Sequence, residues 1–379
     1  MLLECASSRT KPALELADIV RAYGPAFVQS RVLRPEQRAA LRDIERCRTA
    51  VLGGHLDVCT ACGHEQPSYN SCRNRHCPKC QALAQARWVD KRISRLLPVH
   101  YFHVVFTLPA ELRAVVKRHR ERCFDLLFAA ASATLLELAR DPKRLGAELG
   151  VTMVLHTWTR ELSFHPHVHA IVTGGGLSDD DARWVPTRKG FLFPVRVMGA
   201  LFRGKMLAAL ERAHAHGHLD LGNVDLRALR SKPWIVYAKR PFGGPEQVIR
   251  YLGRYTHRVG ISNQRLVSMD ERGVTFRTKD GRVVTIPGDE MLARFVEHVL
   301  TPRFVKIRHY GLHASTHATT RLERARELLP PLVVKSHDDD WRALLLRLTG
   351  EDVRVCPRCA QYAVVRTALP AARAPPEAA

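Results

Sequence analysis

The chain has 379 residues, enough for two or three domains, and 46% of them are hydrophobic, as in an ordinary globular protein. Lys and Arg outnumber Asp and Glu 59 to 37, a net charge of +22 that points to a polyanionic partner, nucleic acid first. No run reaches the roughly 18 apolar residues of a membrane span, and the N-terminus lacks the basic-then-apolar pattern of a secretory signal. A cytoplasmic, nucleoid-associated protein is therefore expected, with its ten cysteines serving as ligands rather than disulfides.

In chain order, "RPEQRAALRDIERCRT" reads as a helix, with Pro35 at the first helical position and Leu41 and Ile44 at helical spacing. Next comes "LGGHLDVCTACGHEQPSYNSCRNRHCPKCQ", which holds Cys59-x-x-Cys62 and, after 14 residues, Cys77-x-x-Cys80. Each pair can form a knuckle that aims two thiolates at one tetrahedral ion. Gly63 behind the first pair and Pro78 inside the second suit such turns. A structural Zn2+ on Cys59, Cys62, Cys77 and Cys80 is the expectation. Cys72 and His76, with Cys47 and His55 close by, can furnish a second zinc site that spacing does not assign.

"YFHVVFTLP", 101 to 109, reads as a buried strand and is followed by a long helical region to about 140. "GVTMVLHTWTREL" is a second strand, and "ELSFHPHVHAIVTGGG" a third, ended by a turn at glycines 174 to 176. In that third strand His165, His167 and His169 alternate, so all three point to one face, about 6.6 Å apart along the chain. A packed core has no need of three imidazoles in a row; a metal ion does. The short link between the second and third strands implies a hairpin that brings His156 near the triplet.

"GGPEQVIRYLGRYTHRVG", 243 to 260, has Pro and Gly at its ends and reads as a helix. Tyr251 and Tyr255 lie on one face four residues apart, and Arg250, Arg254 and Arg258 form a parallel row able to hold a phosphate backbone. "RLVSMDERGVTFRTKDGRVVTI" reads as a small β-meander with a hairpin turn at Asp280-Gly281. Near the end "CPRC" adds a knuckle, Cys356 and Cys359, without an obvious second pair, and the Pro/Ala-rich tail reads as disordered. A histidine-held metal, paired tyrosines and a basic helix together suggest phenolic attack on a DNA phosphodiester, with the ion as Lewis acid and template.

The segments "CRTAVLGGH", "CTACGH", "YNSCRNRHCPKCQ", "HPHVHAIVTGGGL", "YLGRYTHRVGIS" and "RHYG", in this order, carry a resemblance from about residue 31 to 320. The chain resembles the bacterial rolling-circle transposases of the HUH class (His-hydrophobic-His) that carry two tyrosines and an N-terminal zinc-binding domain. The resemblance implies that His167 and His169 flank Val168 as the metal pair, and that Tyr251 and Tyr255 are the nucleophiles. It also implies Mg2+ or Mn2+ as catalytic ion, and single-stranded DNA with transposon ends as substrate. The fold implied is α+β, a ferredoxin-like antiparallel sheet with the histidine pair on its central strand. For the third ligand, relatives with one tyrosine use a polar residue one turn past the nucleophile, but Tyr255 or Val259 stands there. His165, on the same strand face, is preferred, and His156 from the neighbouring strand is the alternative.

The expected domains are a helical zinc-binding DNA-recognition domain (1–98), an HUH tyrosine nuclease domain with an inserted β-meander (99–320) and a C-terminal tail with the last knuckle (321–379). Two other readings share these features: a rolling-circle replication initiator or relaxase, and a non-catalytic zinc-dependent DNA-binding protein.

Overall fold

The computed structural model describes residues 12–93, 95–188, 190–239, 253, 260–331 and 340–372. Two helices, α1 (Leu16–Ser30) and α2 (Pro35–Arg46), open the chain, and Pro35 occupies the first turn of α2 as its fixed φ favours. The hairpin β1 (Gly54–Cys59) and β2 (Glu65–Tyr69) follows, then α3 (Ala82–Ile93).

The central layer is an antiparallel sheet. Its strands are β3 (Tyr101–Thr107), β4 (Glu148–Trp158), β5 (Phe164–Leu177), the short β6 (Trp184–Pro186) and β7 (Val236–Lys239). Between β3 and β4 lie α4 (Arg113–Arg118) and α5 (Arg120–Arg140); between β6 and β7 lie α6 (Val195–Ala215) and α7 (Leu226–Ser231). The path β3–α5–β4–β5–α6–β7 with strand order β4–β5–β3–β7 is the ferredoxin-like arrangement, so the expected α+β class and antiparallel sheet hold.

The period-two alternation of the strands divides the sheet's faces. Val104 and Phe106 of β3, Val151, Met153 and Leu155 of β4, and Val168, Ala170 and Val172 of β5 point into the main core with Phe124, Phe128, Phe202 and Met206 from α5 and α6. The opposite face carries the histidines. Part of it is covered by α3, whose Val89 and Ile93 pack with Tyr101, Val154 and Ile171.

Beyond β7 the chain forms the meander β8 (Leu266–Asp270), β9 (Gly273–Arg277) and β10 (Val283–Ile286), then the helix Gly288–Val296. The turn at Asp280-Gly281 forms as expected, with Thr278 N–H donating to the Arg282 carbonyl at 2.7 Å. The meander does not pack as an insert of the sheet domain. Val274, Phe276 and Ile286 share one core with Leu16, Ile19, Phe27, Leu41 and Ile44 of α1 and α2 and with Met291 and Phe295. The strand β11 (Ile307–Gly311) then adds to the edge of the main sheet, paired with β4.

Two other sequence expectations change. Glycines 174 to 176 are not a turn but the end of β5: a Cβ on Gly175 would lie 2.5 Å from the Trp184 indole nitrogen, so the strand needs glycine to let its neighbours approach. The C-terminal segment is not a separate tail either. After the helices Arg321–Glu327 and Trp341–Thr349, strand β12 (Val364–Leu369) pairs with β1 over its whole length, from Gly54 opposite Leu369 to Cys59 opposite Val364. The far end of the Pro/Ala-rich tail, 373–379, lies outside the described residues. Among the described residues no helix is long and apolar enough to cross a membrane.

Candidate functional site

His156 of β4 lies directly opposite His167 of β5, and His169 is two residues further along the same strand, opposite Val154. The ring centroids are 4.1 Å apart for His156 and His169, 4.9 Å for His167 and His169, and 5.4 Å for His156 and His167. One nitrogen from each of the three lies within 4.8 Å of the others, and no Asp or Glu among the described residues joins them. His156 is buried while the other two are partly exposed, which leaves one side open. Three imidazoles with an open side are a donor set that could hold a metal ion.

The surroundings fix the tautomers. His167 Nδ1 donates to the His165 carbonyl at 2.7 Å, which leaves Nε2 to bind an ion. Nδ1 of His169 lies 2.7 Å from Nε2 of His103 on β3; with His169 as the donor, its Nε2 keeps the lone pair that an ion needs. Trp158 stacks on the back of His156 at 4.9 Å, and the Lys306 ammonium sits over the Trp158 ring at 5.0 Å. Burial is the first cause that keeps these imidazoles neutral: it brings His167 down to about 4 and His156 and His169 well below the ordinary value. The positive charge of Lys279, at the tip of the β9–β10 turn, pushes all three the same way. A neutral imidazole offers the lone pair that a metal needs.

His165 is not in the group. Two residues of strand advance the chain about 6.6 Å, so three imidazoles in one row span about 13 Å, too far for all to reach an ion held at about 2.1 Å. A pair from one strand and a partner from across the ladder converge instead. The His165 carbonyl accepts from His167 Nδ1, and it is His156 that stands with His167 and His169. Tyr251, Tyr255, Arg250, Arg254 and Arg258 lie outside the described residues. Between the two tyrosines, Gly253 is a buried helical residue whose Cα abuts α3: a Cβ there would lie 2.3 Å from Val89 Cγ2.

The cysteines also regroup. The expected quartet Cys59, Cys62, Cys77 and Cys80 does not assemble; its two pairs belong to different clusters. Cys77 and Cys80 join Cys47, at the C-terminal end of α2, and Cys72. Cys72 Sγ is 3.7 Å from Cys80 Sγ, and Cys47 Sγ accepts from the Cys72 N–H at 3.4 Å. Hydrogen bonds from Cys72, Cys77 and Cys80 pull the Cys47 thiol well below its ordinary value, as suits a thiolate. Cys47 and Cys77 are buried at the edge of the core formed by α1 and α2. Cys59 and Cys62 meet Cys356 and Cys359. The separation follows from the sheet: β1 carries the first knuckle to its pairing with β12, whereas Cys80 stands two residues before α3.

His76 is not a zinc ligand of either group: its buried Nε2 accepts from Leu300 N–H at 3.3 Å, a structural role. His55 sits in β1 opposite Ser68 and Ala368, apart from both groups. Spacing alone named Cys47 as close by but could not assign it to a group, because one cysteine ending a helix carries no knuckle signal. The unpaired "CPRC" was the usable sign that a distant pair existed.

Two families match this chain: "Transposase zinc-binding domain" over residues 19–108 and "Putative transposase" over residues 150–321. A similar protein is "Putative transposase y4qJ" of Sinorhizobium fredii, 44% identical over 371 residues, 92% of this chain and 93% of the relative. Another is "Transposase for insertion sequence element IS801" of Pseudomonas savastanoi pv. phaseolicola, 30% identical over 321 residues, 77% of this chain and 76% of the relative. Among solved structures, a conjugative relaxase TrwC in complex with oriT DNA overlaps 41% of this chain and 71% of its own at 15% identity. Its TM-score of 0.24 is too low for the likeness to carry an argument. With a zinc-binding region followed by a transposase region, and two transposase relatives matched over 93% and 76% of their own length, the chain belongs to the IS91 family of rolling-circle transposases.

Proposed function

We propose that this transposase cuts and rejoins single-stranded DNA at transposon ends through 5′-phosphotyrosine bonds, with Tyr251 and Tyr255 as nucleophiles and His156, His167 and His169 as ligands of a divalent ion. The observation that carries the reading is the convergence of three neutral imidazoles on one open point of the sheet. The ion in this reading is Mg2+ or Mn2+. When bound, the ion polarises the scissile phosphate and holds it in line.

The chain's residues do the rest. The phenol of one tyrosine, whose ordinary pKa is about 10, loses its proton and its oxygen attacks phosphorus. The bond from phosphorus to the 3′ oxygen breaks, and that oxygen takes up a proton. One phosphodiester has been exchanged for another, so a free 3′-hydroxyl can reverse the step on a new strand without an added energy source. Arg250, Arg254 and Arg258 supply phosphate contacts beside the two tyrosines. Lys279, which acts electrostatically on all three histidines, adds a cation at the mouth of the site. A Zn2+ held by Cys47, Cys72, Cys77 and Cys80 locks the start of α3 to the α1–α2 core and so fixes the DNA-recognition region beside the histidine face. Acting on DNA, the protein works in the cytoplasm at the nucleoid.

The test is incubation of the full chain with a single-stranded transposon-end oligonucleotide and Mn2+, followed by denaturing electrophoresis. A covalent adduct is expected, with the DNA mapped by peptide mass to Tyr251 or Tyr255. It should vanish in His167→Ala, His169→Ala and the Tyr251→Phe/Tyr255→Phe double variant. An adduct that survives in the double phenylalanine variant would falsify the assignment of the nucleophiles.

A further inference from the structure

The sheet β12–β1–β2 lacks what usually holds a small sheet together. Every residue of β2 is exposed, four of the six in β12 are exposed, and no residue of the three strands belongs to any of the hydrophobic clusters. Three strands need a hydrophobic face or a packed helix to be stable in water. Ion pairing helps only a little: Arg366 bridges to Asp57 across β12 and β1 at 2.6 Å, an interaction worth no more than about 1 kcal/mol near a surface.

At the end of this sheet two knuckles face each other. Cys59 N–H donates to the His64 carbonyl and Gly63 N–H to the Cys59 carbonyl, both at 2.9 Å. Cys356 N–H donates to the Gln361 carbonyl and Ala360 N–H to the Cys356 carbonyl, also at 2.9 Å. The turns are therefore the same turn, residue for residue. Gly63 has φ +70°, where glycine is at ease, but Ala360 holds φ 58° at the equivalent place, a conformation that alanine adopts at a cost. A strained turn kept in a solvent-exposed segment needs something to hold it.

The sulfurs supply the reason. Cys59 Sγ lies 3.6 Å from Cys359 Sγ, and Cys62 Sγ lies 3.7 Å from Cys356 Sγ. All four fall within 4.8 Å of one another. Thiolates placed tetrahedrally at about 2.3 Å from zinc are about 3.8 Å apart, whereas a disulfide would bring two of them to about 2.05 Å. None of the four is in a disulfide. We propose that Cys59, Cys62, Cys356 and Cys359 hold a second structural zinc ion, which makes β12–β1–β2 a zinc ribbon assembled from the two ends of the chain. The ion ties the C-terminal segment to the N-terminal module. The same segment includes the helix Trp341–Thr349, whose Arg347 pairs with Asp90 of α3 at 2.6 Å, so the clasp also steadies the cover of the histidine face. This site is independent of the tyrosine chemistry and stands or falls by itself.

The experiment counts zinc on the whole protein by native mass spectrometry. Cys356→Ser, Cys59→Ser and the two combined should each lose one ion relative to the unaltered chain, because they share it, while Cys77→Ser loses a different one and adds to the loss. Since a serine variant can misfold, the unaltered chain is also alkylated with iodoacetamide. With zinc bound, Cys59, Cys62, Cys356 and Cys359 should resist modification, and all four should become reactive together when a chelator removes the ion. Co2+ exchanged into the protein should give thiolate charge-transfer absorption for two tetrathiolate centres. The proposal is overturned if Cys356→Ser keeps the full zinc count, or if Cys356 and Cys359 alkylate freely while Cys59 and Cys62 stay protected.

Discussion

The imidazoles of His103 and His169 lie parallel, 7° apart in plane, with His103 Nε2 2.7 Å from His169 Nδ1. His103 thereby orients, from the neighbouring strand, an imidazole that the proposed site uses as a ligand, and is itself outside the three-histidine group. Loss of such an outer partner usually lowers metal affinity by about 10- to 100-fold. His103→Ala is expected to weaken Mn2+ binding by that amount in a calorimetric titration, and His103→Gln, which retains polar groups, to recover part of it. Unchanged affinity in His103→Ala would remove this partner from the site.

The two candidates for third ligand separate cleanly. His156→Ala should abolish Mn2+-dependent adduct formation. His165→Ala should keep most of it, because the group that His167 uses is the backbone carbonyl of residue 165, which the substitution leaves in place. The adduct assay with both variants decides the matter, and the opposite pattern would restore His165 as ligand.

Gly253 is where the tyrosine segment meets α3. A methyl group there collides with Val89 Cγ2 at 2.3 Å, while Gln85 and Trp88 are at 3.9 Å. Gly253→Ala is expected to cost about 1–3 kcal/mol and to slow adduct formation by shifting the tyrosines. Val89→Ala removes the obstructing methyl groups, so the double variant should be more stable than the sum of the single effects. Thermal melting of the four proteins measures it; strict additivity would mean that the two residues do not press on each other in solution.

Acid should destabilise the fold through buried neutral histidines. Burial lowers His76, His298, His309 and His313 to about 3, against about 6.5 in an unfolded chain. Between those values the unfolded state binds more protons than the folded one, so stability rises with pH across that window and is lost as pH falls below about 6.5. Each such histidine contributes a slope of up to about 1.4 kcal/mol per pH unit. His298 is the most informative, because it is buried with Nε2 donating to the Leu162 carbonyl at 2.8 Å, so that in the neutral ring Nδ1 accepts from Thr157 Oγ1 at 3.1 Å. Urea midpoints should fall from about pH 7 to about pH 5, and less steeply in His298→Gln than in the unaltered chain. Equal slopes for the two proteins would mean that His298 is already charged in the fold.

Much of the architecture was legible in the residues. Alternation in "YFHVVFT" and "HPHVHAIV" marks strands with two faces, Pro35 marks the start of a helix, and Asp280-Gly281 marks a hairpin; all are local signals set by φ preferences and side-chain period. The histidine pair His167 and His169 was legible for the same reason, since residues two apart on a strand share a face. The glycines 174 to 176 misled because glycine serves both turns and close strand approach, and only the position of Trp184 distinguishes the two.

What the sequence by itself determined is the chemistry available: alternating imidazoles on one strand, paired thiols in three knuckles, a surplus of cations and the order of segments that marks the family. What only the tertiary structure decided is which of these groups meet. His156 replaces His165 because ligands converge across a ladder and diverge along a strand. Cys47 and Cys72 replace Cys59 and Cys62 beside Cys77 and Cys80 because the fold of α2 and β1 carries the two pairs apart. The knuckle at Cys356 finds its partner almost three hundred positions away, through strand pairing from Gly54 opposite Leu369 to Cys59 opposite Val364. Spacing reports neighbours along the chain, and a tetrahedral ion selects neighbours in space.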